Sequence, residues 1–422
     1  MVERRKPIRV SEAVNKVMAF AKRGNEEKVQ LEHSYGRVLA EALRATHPVP
    51  PFDRSPYDGF AVRSCDTVHA GMDNPVSFQV IDEIGAGFVS EKKVGPFEAV
   101  RIMTGAKLPE LCDCVIMLEL VSEFACGGES WFSIKRSYRP GDNVSFQGED
   151  TEEGTVIAEK GTYINPGVVA NLATFGYQEV IAAKRPIVGV YATGTELLDV
   201  SDELQPGKIR NSNGHMVCAQ IERAGAQARY FGTLPDDFDT CYDSVKQAAE
   251  SVDMLITTGG VSVGDYDFLP AIYEKLGAEV LFNKVAMRPG SVTTVAVWNG
   301  KFLFGLSGNP SACYVGFELF TRPVIQNMLG SKTPHLRKAR AILSEEFTKA
   351  NPFTRFVRGK LSFSGTTLTA APSGFNKSNA VTSLSLTDVF IVLPGGTRGF
   401  SAGDEVDVLL LEYCEGSEWP WD

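Results

Sequence analysis

The chain has 422 residues, 43% hydrophobic and 22% charged, with a formal net charge of −10. That length exceeds a single hydrophobic core and predicts two to four domains of roughly 150 residues each. The acidic balance, with no compensating basic block, excludes nonspecific nucleic-acid or acidic-membrane binding as the main role, but not a small anionic ligand in a local cationic pocket.

The N-terminal segment puts Ser11 at a helix cap, followed by Val14, Val17, Met18 and Ala21 at helical spacing. A short strand-like stretch with Gly36 follows. Pro48, Pro50, Pro51 and Pro56 then forbid a helix and predict a rigid extended loop. Residues 57–145 carry short apolar runs at 76–81, 115–118 and 131–134, broken by Gly, Pro and Asp, and read as a small β domain. Residues 146–184 form a smaller, irregular unit with a short helix near 168–175.

From Arg185 the pattern alternates regularly. Strands are predicted at 187–191, 228–231, 254–257 and 279–286, and helices at 215–223, 242–249 and after Tyr266. Residues 292–297 and 302–306 read as a hairpin turning at Asn299-Gly300, and a last helix runs from 311 to 328. This alternation indicates a doubly wound α/β domain, with ligands expected at the carboxyl ends of its strands. Short strands at 339–343, 356–363, 389–393 and 406–411 close the chain as a further β domain. The expected division is 1–27 with 185–330 for the α/β domain, 28–46 with 146–184 for the irregular one, 47–145 for the first β domain and 331–422 for the last.

The richest motif is the turn at 257–267, Thr-Thr-Gly-Gly-Val-Ser-Val-Gly-Asp-Tyr-Asp. Gly259, Gly260 and Gly264 let backbone N–H groups approach an anion, and Ser262 adds a hydroxyl. Asp265 and Asp267 carry negative charge where an anion cradle would exclude it, which points to an intervening cation. Two more strand-end loops share the plan. Thr193-Gly194-Thr195-Glu196-Leu197 carries Glu196, and Gly308-Asn309-Pro310 opens a helix. Their convergence on one ligand is favoured over three unrelated surface turns. Asp236 and Asp237 follow another strand, where a helix N-terminus also favours acids. Two carboxylates ~4 Å apart repel by roughly 4 kcal/mol at an effective dielectric near 20, so converging acids call for Mg²⁺ or a similar hard divalent ion. Lys284 and Arg288, four apart on one predicted strand, would face the same side as anion ligands.

Several classes lose support. No Walker A lysine motif, Gly-x-Gly-x-x-Gly fingerprint or Gly-x-Ser-x-Gly elbow is present. The cysteines form no Cys-x-x-Cys pair and the five histidines no ligand pattern, so zinc is not expected. No apolar run is long enough to span a membrane and no secretory signal is visible, which makes the cytoplasm the expected compartment.

The motif Pro50-Pro51-Phe52-Asp53-Arg54-Ser55-Pro56-Tyr57-Asp58-Gly59-Phe60-Ala61-Val62, with Arg101-Ile102-Met103-Thr104-Gly105-Ala106, Gly148-Glu149-Asp150 and the three strand-end loops, resembles the molybdopterin molybdenumtransferases. It is also similar to the E domain of gephyrin. Matching motifs run in order from about residue 47 to 400. The resemblance implies an elongated homodimer of four-domain subunits, with the α/β domain of one subunit facing β domains of the other. It also implies that molybdate is inserted into adenylylated molybdopterin and AMP leaves, the last step of molybdenum cofactor synthesis. Position by position, Asp58 and Thr104 match family site residues, as do the acids Asp150, Glu196, one of Asp236 and Asp237, and Asp267, the last four being tied to metal and substrate handling. Lys284 and Arg288 match two basic positions, and Arg358 and Ser378 match in the last domain. Ser291 stands where relatives carry another lysine. The chain has no room for an adenylylating domain, so a separate adenylyltransferase is expected to hand over the substrate. A non-catalytic molybdopterin carrier or a peptide-binding scaffold of the gephyrin kind is the alternative. The joint presence of Asp58, Glu196 and Asp267 favours the enzyme.

Overall fold

A computed structural model describes residues 6–235, 237–260, 268–349 and 352–411. The chain divides into two compact units, one of Met1–Glu41, Lys160–Asn165 and Val180–Asp422, the other of Ala42–Glu159 and Pro166–Glu179. The expected α/β segment and the C-terminal β segment both fall in the first unit. The expected first β domain falls in the second.

In chain order the first unit contains α1 (Val10–Phe20), β1 (Ile187–Thr193), α2 (Ser212–Arg223), β2 (Gln227–Leu234), α3 (Phe238–Ser251), β3 (Met254–Thr258), α4 (Leu269–Lys275) and β4 (Glu279–Phe282). These are followed by β5 (Met287–Arg288), β6 (Thr294–Trp298), β7 (Lys301–Leu306), α5 (Pro310–Gly316) and α6 (Arg322–Met328). The last strands are β8 (Lys338–Leu343), β9 (Thr354–Ser364), β10 (Thr367–Pro372), β11 (Val389–Leu393) and β12 (Glu405–Leu410).

One six-stranded sheet has the order β2-β1-β3-β7-β6-β4. Its first four strands are parallel, and the β6–β7 and β4–β6 pairs are antiparallel. Every residue of β3 is buried because both sheet faces are covered. Met254 and Ile256 enter a core with Ala13 and Val17 of α1 and Val217 and Ile221 of α2, whereas Leu255 enters another with Val245 of α3 and Ile272 of α4. Helices on both faces make the unit doubly wound, as expected. Asn299 and Gly300 take φ of 50° and 77°, the left-handed pair that a two-residue hairpin needs.

Three expectations need correction. Ser11 lies inside α1, whose cap is Arg9 with no side-chain hydrogen bond. The strand expected over 279–286 stops at Phe282. Beyond it the backbone bonds elsewhere, with Ile8 N donating to Lys284 O (3.1 Å) and Ala286 N donating to Ile8 O (2.7 Å). The last helix is interrupted by a π turn over Phe317–Thr321. Pro323, at the start of α6, has no N–H to continue a regular ladder, and the wider turn accommodates it.

The C-terminal strands run in the order β5-β9-β10-β8-β12-β11, and β9 also pairs with β11, so five of them close into a small barrel. Leu343, Val357, Ile391, Leu393 and Val408 fill it.

The second unit is built on a six-stranded sheet whose order is Cys114–Met117, Gly59–Val62, Glu98–Ile102, Val76–Ile84, Glu129–Ile134 and Ser122–Cys126. Gly59–Val62 is wholly buried, and Phe60 stacks on Phe132 with centroids 4.0 Å apart. A Cβ on Gly59 would lie 2.1 Å from Ile116 O, so only glycine fits directly after Asp58.

Candidate functional site

Parallel strands end together, and the turns that follow β1, β3 and β7 line one cavity of about 910 Å³. This is within the range that encloses a sizeable organic ligand. Thr193 Oγ1 donates to Thr258 O (3.2 Å) and Gly259 N donates to Leu306 O (2.9 Å), tying the three turns to one another. Gly259 and Gly260 have φ of 93° and 67°, and a Cβ on Gly259 would lie 2.6 Å from Thr193 Oγ1. Both the backbone shape and the close approach therefore demand glycine at 259. The start of α2 forms another wall. Asn211 caps that helix by accepting from Gly214 N (3.0 Å), and Asn213 Nδ2 donates to Gly308 O (2.7 Å). The N-termini of α2 and α5 both contribute lining residues, so the helix dipoles favour an anion there, although Pro310 has no N–H and the Ser311 N–H is given to Ser378 O.

Among the described lining residues the only carboxylate is Glu196 and the only cation is Arg210. Glu196 is exposed, and no hydrogen bond or ion pair to a described residue occupies its carboxylate. Gly194 before it has φ of 141°, a backbone conformation that favours glycine, and the Glu196 carboxylate lies over it. Glu196 O accepts from Ile209 N (2.9 Å), which fixes the loop against residues 209–210.

A second cavity of about 600 Å³ has a different character. Arg288, Lys349, Arg355, Arg358 and Lys377 line it, and among the described residues no acid does. Arg358 is only 2% exposed. Its Nη2 donates to Phe375 O (2.8 Å), while its Nε has no partner among the described residues. Burial pushes its pKa down, but a guanidinium stays charged. Ser378 also lines this cavity, held by Ser311 N donating to Ser378 O (3.0 Å). Ser307 and Asn309 line both cavities, so the two adjoin.

In the second unit, Asp58 Oδ1 accepts from Thr104 N (2.7 Å) and Thr104 Oγ1 (2.9 Å). These donors, with Arg101 nearby, hold the Asp58 carboxyl below its ordinary value. Asp150 is exposed on a loop paired with the proline-rich segment, its N–H donating to Val49 O (3.0 Å).

Residues 8–176 match the MoeA N-terminal region (domains I and II), 189–327 a probable molybdopterin binding domain, and 340–411 the MoeA C-terminal region (domain IV). The chain is 60% identical over 421 residues to the molybdopterin molybdenumtransferase of Bacillus subtilis (strain 168), covering 100% of this chain and 98% of the relative. The chain belongs to the molybdopterin molybdenumtransferase family. A relative of the same name from Staphylococcus aureus (strain Mu50) is 52% identical over 418 residues, 99% of each chain. Two crystal structures of the molybdopterin biosynthesis MoeA protein from Pyrococcus horikoshii match with TM-scores of 0.84 and 0.81 at 31% and 29% identity. They cover 97% and 96% of this chain and 100% of their own.

Of the residues this family resemblance marked, Glu196, Gly259, Gly260, Gly308, Asn309 and Pro310 line the larger cavity. Arg288, Asn309, Arg358 and Ser378 line the smaller one. Lys284 lines neither, because the strand that would have aligned it with Arg288 ends at Phe282. Asp237 caps α3, its carboxylate accepting from Thr240 N (2.9 Å). Asp236, Ser262, Gly264 and Asp267 lie outside the described residues. Sequence reasoning missed Asn211 and Asn213, although an Asn-Ser-Asn run before a helical pattern is a cap signal. It also missed Lys349, Arg355 and Lys377, for which no local signal exists.

Proposed function

We propose that this transferase inserts molybdate into adenylylated molybdopterin and releases AMP, completing molybdenum cofactor biosynthesis. The observation that carries the proposal is the adjoining of two cavities with complementary chemistry. The larger, with glycine turns and two helix N-termini, suits an organic anion such as a pterin–nucleotide phosphoanhydride. The smaller, rich in guanidinium and ammonium groups, suits a tetrahedral oxyanion. Asn309, common to both, lies where the two reactants would meet.

The backbone N–H of Gly260, together with Ser262 and Gly264, cradles the phosphate, while the Gly259 N–H is given to Leu306 O and holds the turn in place. Gly308 and Pro310 line the wall beside it. Arg288, Arg358 and Ser378 hold molybdate, and Lys284 is the remaining basic candidate. Mg²⁺ is the proposed cofactor. Glu196 offers it a solvent-facing carboxylate with no competing described cation partner, and Asp236 or Asp237 and Asp267 are the candidate companions. Among the described residues alone no group of three acids, cysteines or histidines gathers, so the fit rests on Glu196 together with acids outside them. When bound, the ion would neutralise and polarise the phosphoanhydride. Asp58, kept ionised by Thr104, and Asp150 are the candidate acids of the second unit.

Homodimerisation, receipt of substrate from a separate adenylyltransferase and a cytoplasmic site of action belong to the same proposal. No helix among the described residues is long and apolar enough to cross a membrane. The test is to incubate the protein with adenylylated molybdopterin, molybdate and Mg²⁺ and to quantify AMP. Release that needs all three, stops with EDTA and returns with Mg²⁺ is expected. Tight substrate binding with no AMP would instead support the carrier or scaffold alternative.

A further inference from the structure

We propose that Asn213 is a positioning residue for the transfer reaction, its side-chain amide fixing the turn at 307–310 that walls both cavities; the inference rests on the transferase reading above. Asn213 is the second residue of α2 and only 8% exposed. Its Nδ2 donates to Gly308 O at 2.7 Å, joining segments 95 residues apart. The bond starts from a rigid base. Asn211 caps α2 by accepting from Gly214 N, and its own Nδ2 donates to the Tyr230 hydroxyl of β2 (2.7 Å), so the first turn of the helix is tied to the sheet.

The turn is anchored firmly only at its ends. Before it, Leu306 O accepts from Gly259 N (2.9 Å). After it, Ser311 N donates to Ser378 O (3.0 Å) and Ser311 Oγ to Ala380 O (2.7 Å). Between these anchors Asn309 N donates to Ser307 Oγ (3.2 Å), a bond internal to the turn. Among the described residues, the Asn213 amide makes the one hydrogen bond that ties positions 307–310 to a separate element. The Asn309 side chain is exposed and makes no capping bond, so it stays available where the two cavities adjoin. A carbonyl only accepts, so the amide must present Nδ2 to Gly308, and its Oδ1 is left buried with no partner among the described residues. The unmet acceptor costs about as much as the bond contributes, so the pair supplies geometry rather than stability. Geometry is what the reaction needs, since misplacing a reacting group by about 1 Å slows the step far more than it weakens binding.

The experiment measures AMP release by the full-length protein with adenylylated molybdopterin, molybdate and Mg²⁺, alongside amide hydrogen exchange and thermal unfolding. Asn213→Ala is expected to lower kcat by roughly 10- to 100-fold while the KM of each substrate stays within about threefold. Peptides spanning 306–311 should exchange faster than in the wild type, with the unfolding midpoint moved by less than about 4 °C. Asn213→Asp, close in size but with an oxygen facing Gly308 O, should lose at least as much kcat. A kcat within threefold of the wild type in both variants overturns the proposal. So does a raised KM with kcat unchanged, which would make Asn213 a substrate contact. Should Asn213→Ala fail to fold, Asn213→Asp decides alone by the same kcat criterion. Failure of both to fold also overturns it, because the bond would then hold the fold rather than the turn. Wild-type protein that makes no AMP refutes the transferase reading and this role together, whereas wild-type release with unaltered variants refutes this role only.

Discussion

Glu196 sits in a loop whose backbone calls for glycine two residues before it, since Gly194 has φ of 141°. The carboxylate folds over Gly194 into space that any Cβ would occupy, since such an atom would lie only 2.4 Å from Oε2. The exposed carboxylate can swing aside, so Gly194→Ala should reduce Mg²⁺-dependent AMP release through backbone strain at φ 141° and by less than Glu196→Ala does. A Gly194→Ala enzyme with wild-type AMP release would show that the loop absorbs that strain. Asp58 gives a second test, independent of activity. Its pKa lies below the ordinary 3.8, chiefly through the Thr104 N–H and then the Thr104 hydroxyl. A depressed carboxyl contributes stability above its unfolded pKa and loses it as pH falls through the folded value. Thr104→Val removes the hydroxyl donor, so the Asp58 pKa measured by NMR titration should rise toward 3.8. No upward shift would mean that the backbone N–H alone sets it.

Whole elements are positioned by a buried ionic knot. The Glu318 side chain, on the π turn between α5 and α6, has no solvent exposure. Arg223 of α2 donates to it, Gln220 Nε2 donates at 2.6 Å, and Arg322 lies 3.8 Å away. Burial raises the Glu318 pKa, while the arginines and Gln220 oppose the rise. Since the starts of α2 and α5 both wall the larger cavity, the knot holds two of its walls from behind. Glu318→Ala should cost about 3 kcal/mol, the low end for a broken buried pair, because Arg223 keeps some hydration. Urea unfolding would measure this, and a loss under about 1 kcal/mol would show that packing alone holds α2. Legibility varied at this scale for a definite reason. Buried strands such as Met254–Thr258 announce themselves as apolar runs, whereas Ser122–Cys126 is exposed at every position and has no alternation to read. Residues 279–286 misled because Val285 is as buried as a strand residue, yet it serves the core outside the α/β sheet.

At the scale of the molecule, a chain with net charge −10 carries a cavity lined by five cations. An acidic surface repels a dianion at long range, so recognition must come from short-range donors in a confined space. The same surface charge sets a condition on the proposed homodimer. Two copies repel each other, so their association must rest on apolar contact. Raising salt screens that repulsion without weakening such contact. Sedimentation equilibrium should give twice the chain mass, unchanged on moving to about 0.5 M salt. A monomer, or a dimer that dissociates with salt, would contradict this.

The sequence alone determined the strand-end turns, the position of Glu196 among them, the doubly wound alternation and the family. All of these are local, since glycine conformations, caps and apolar periodicity are decided within a few residues. Tertiary structure alone decided that Arg288 pairs with the barrel strand β9 rather than joining the α/β sheet, that Lys284 lines neither cavity, and that Arg355 stands level with Arg288. Strand register and barrel closure depend on contacts between segments far apart in the chain, and a one-residue shift reverses which face a side chain takes.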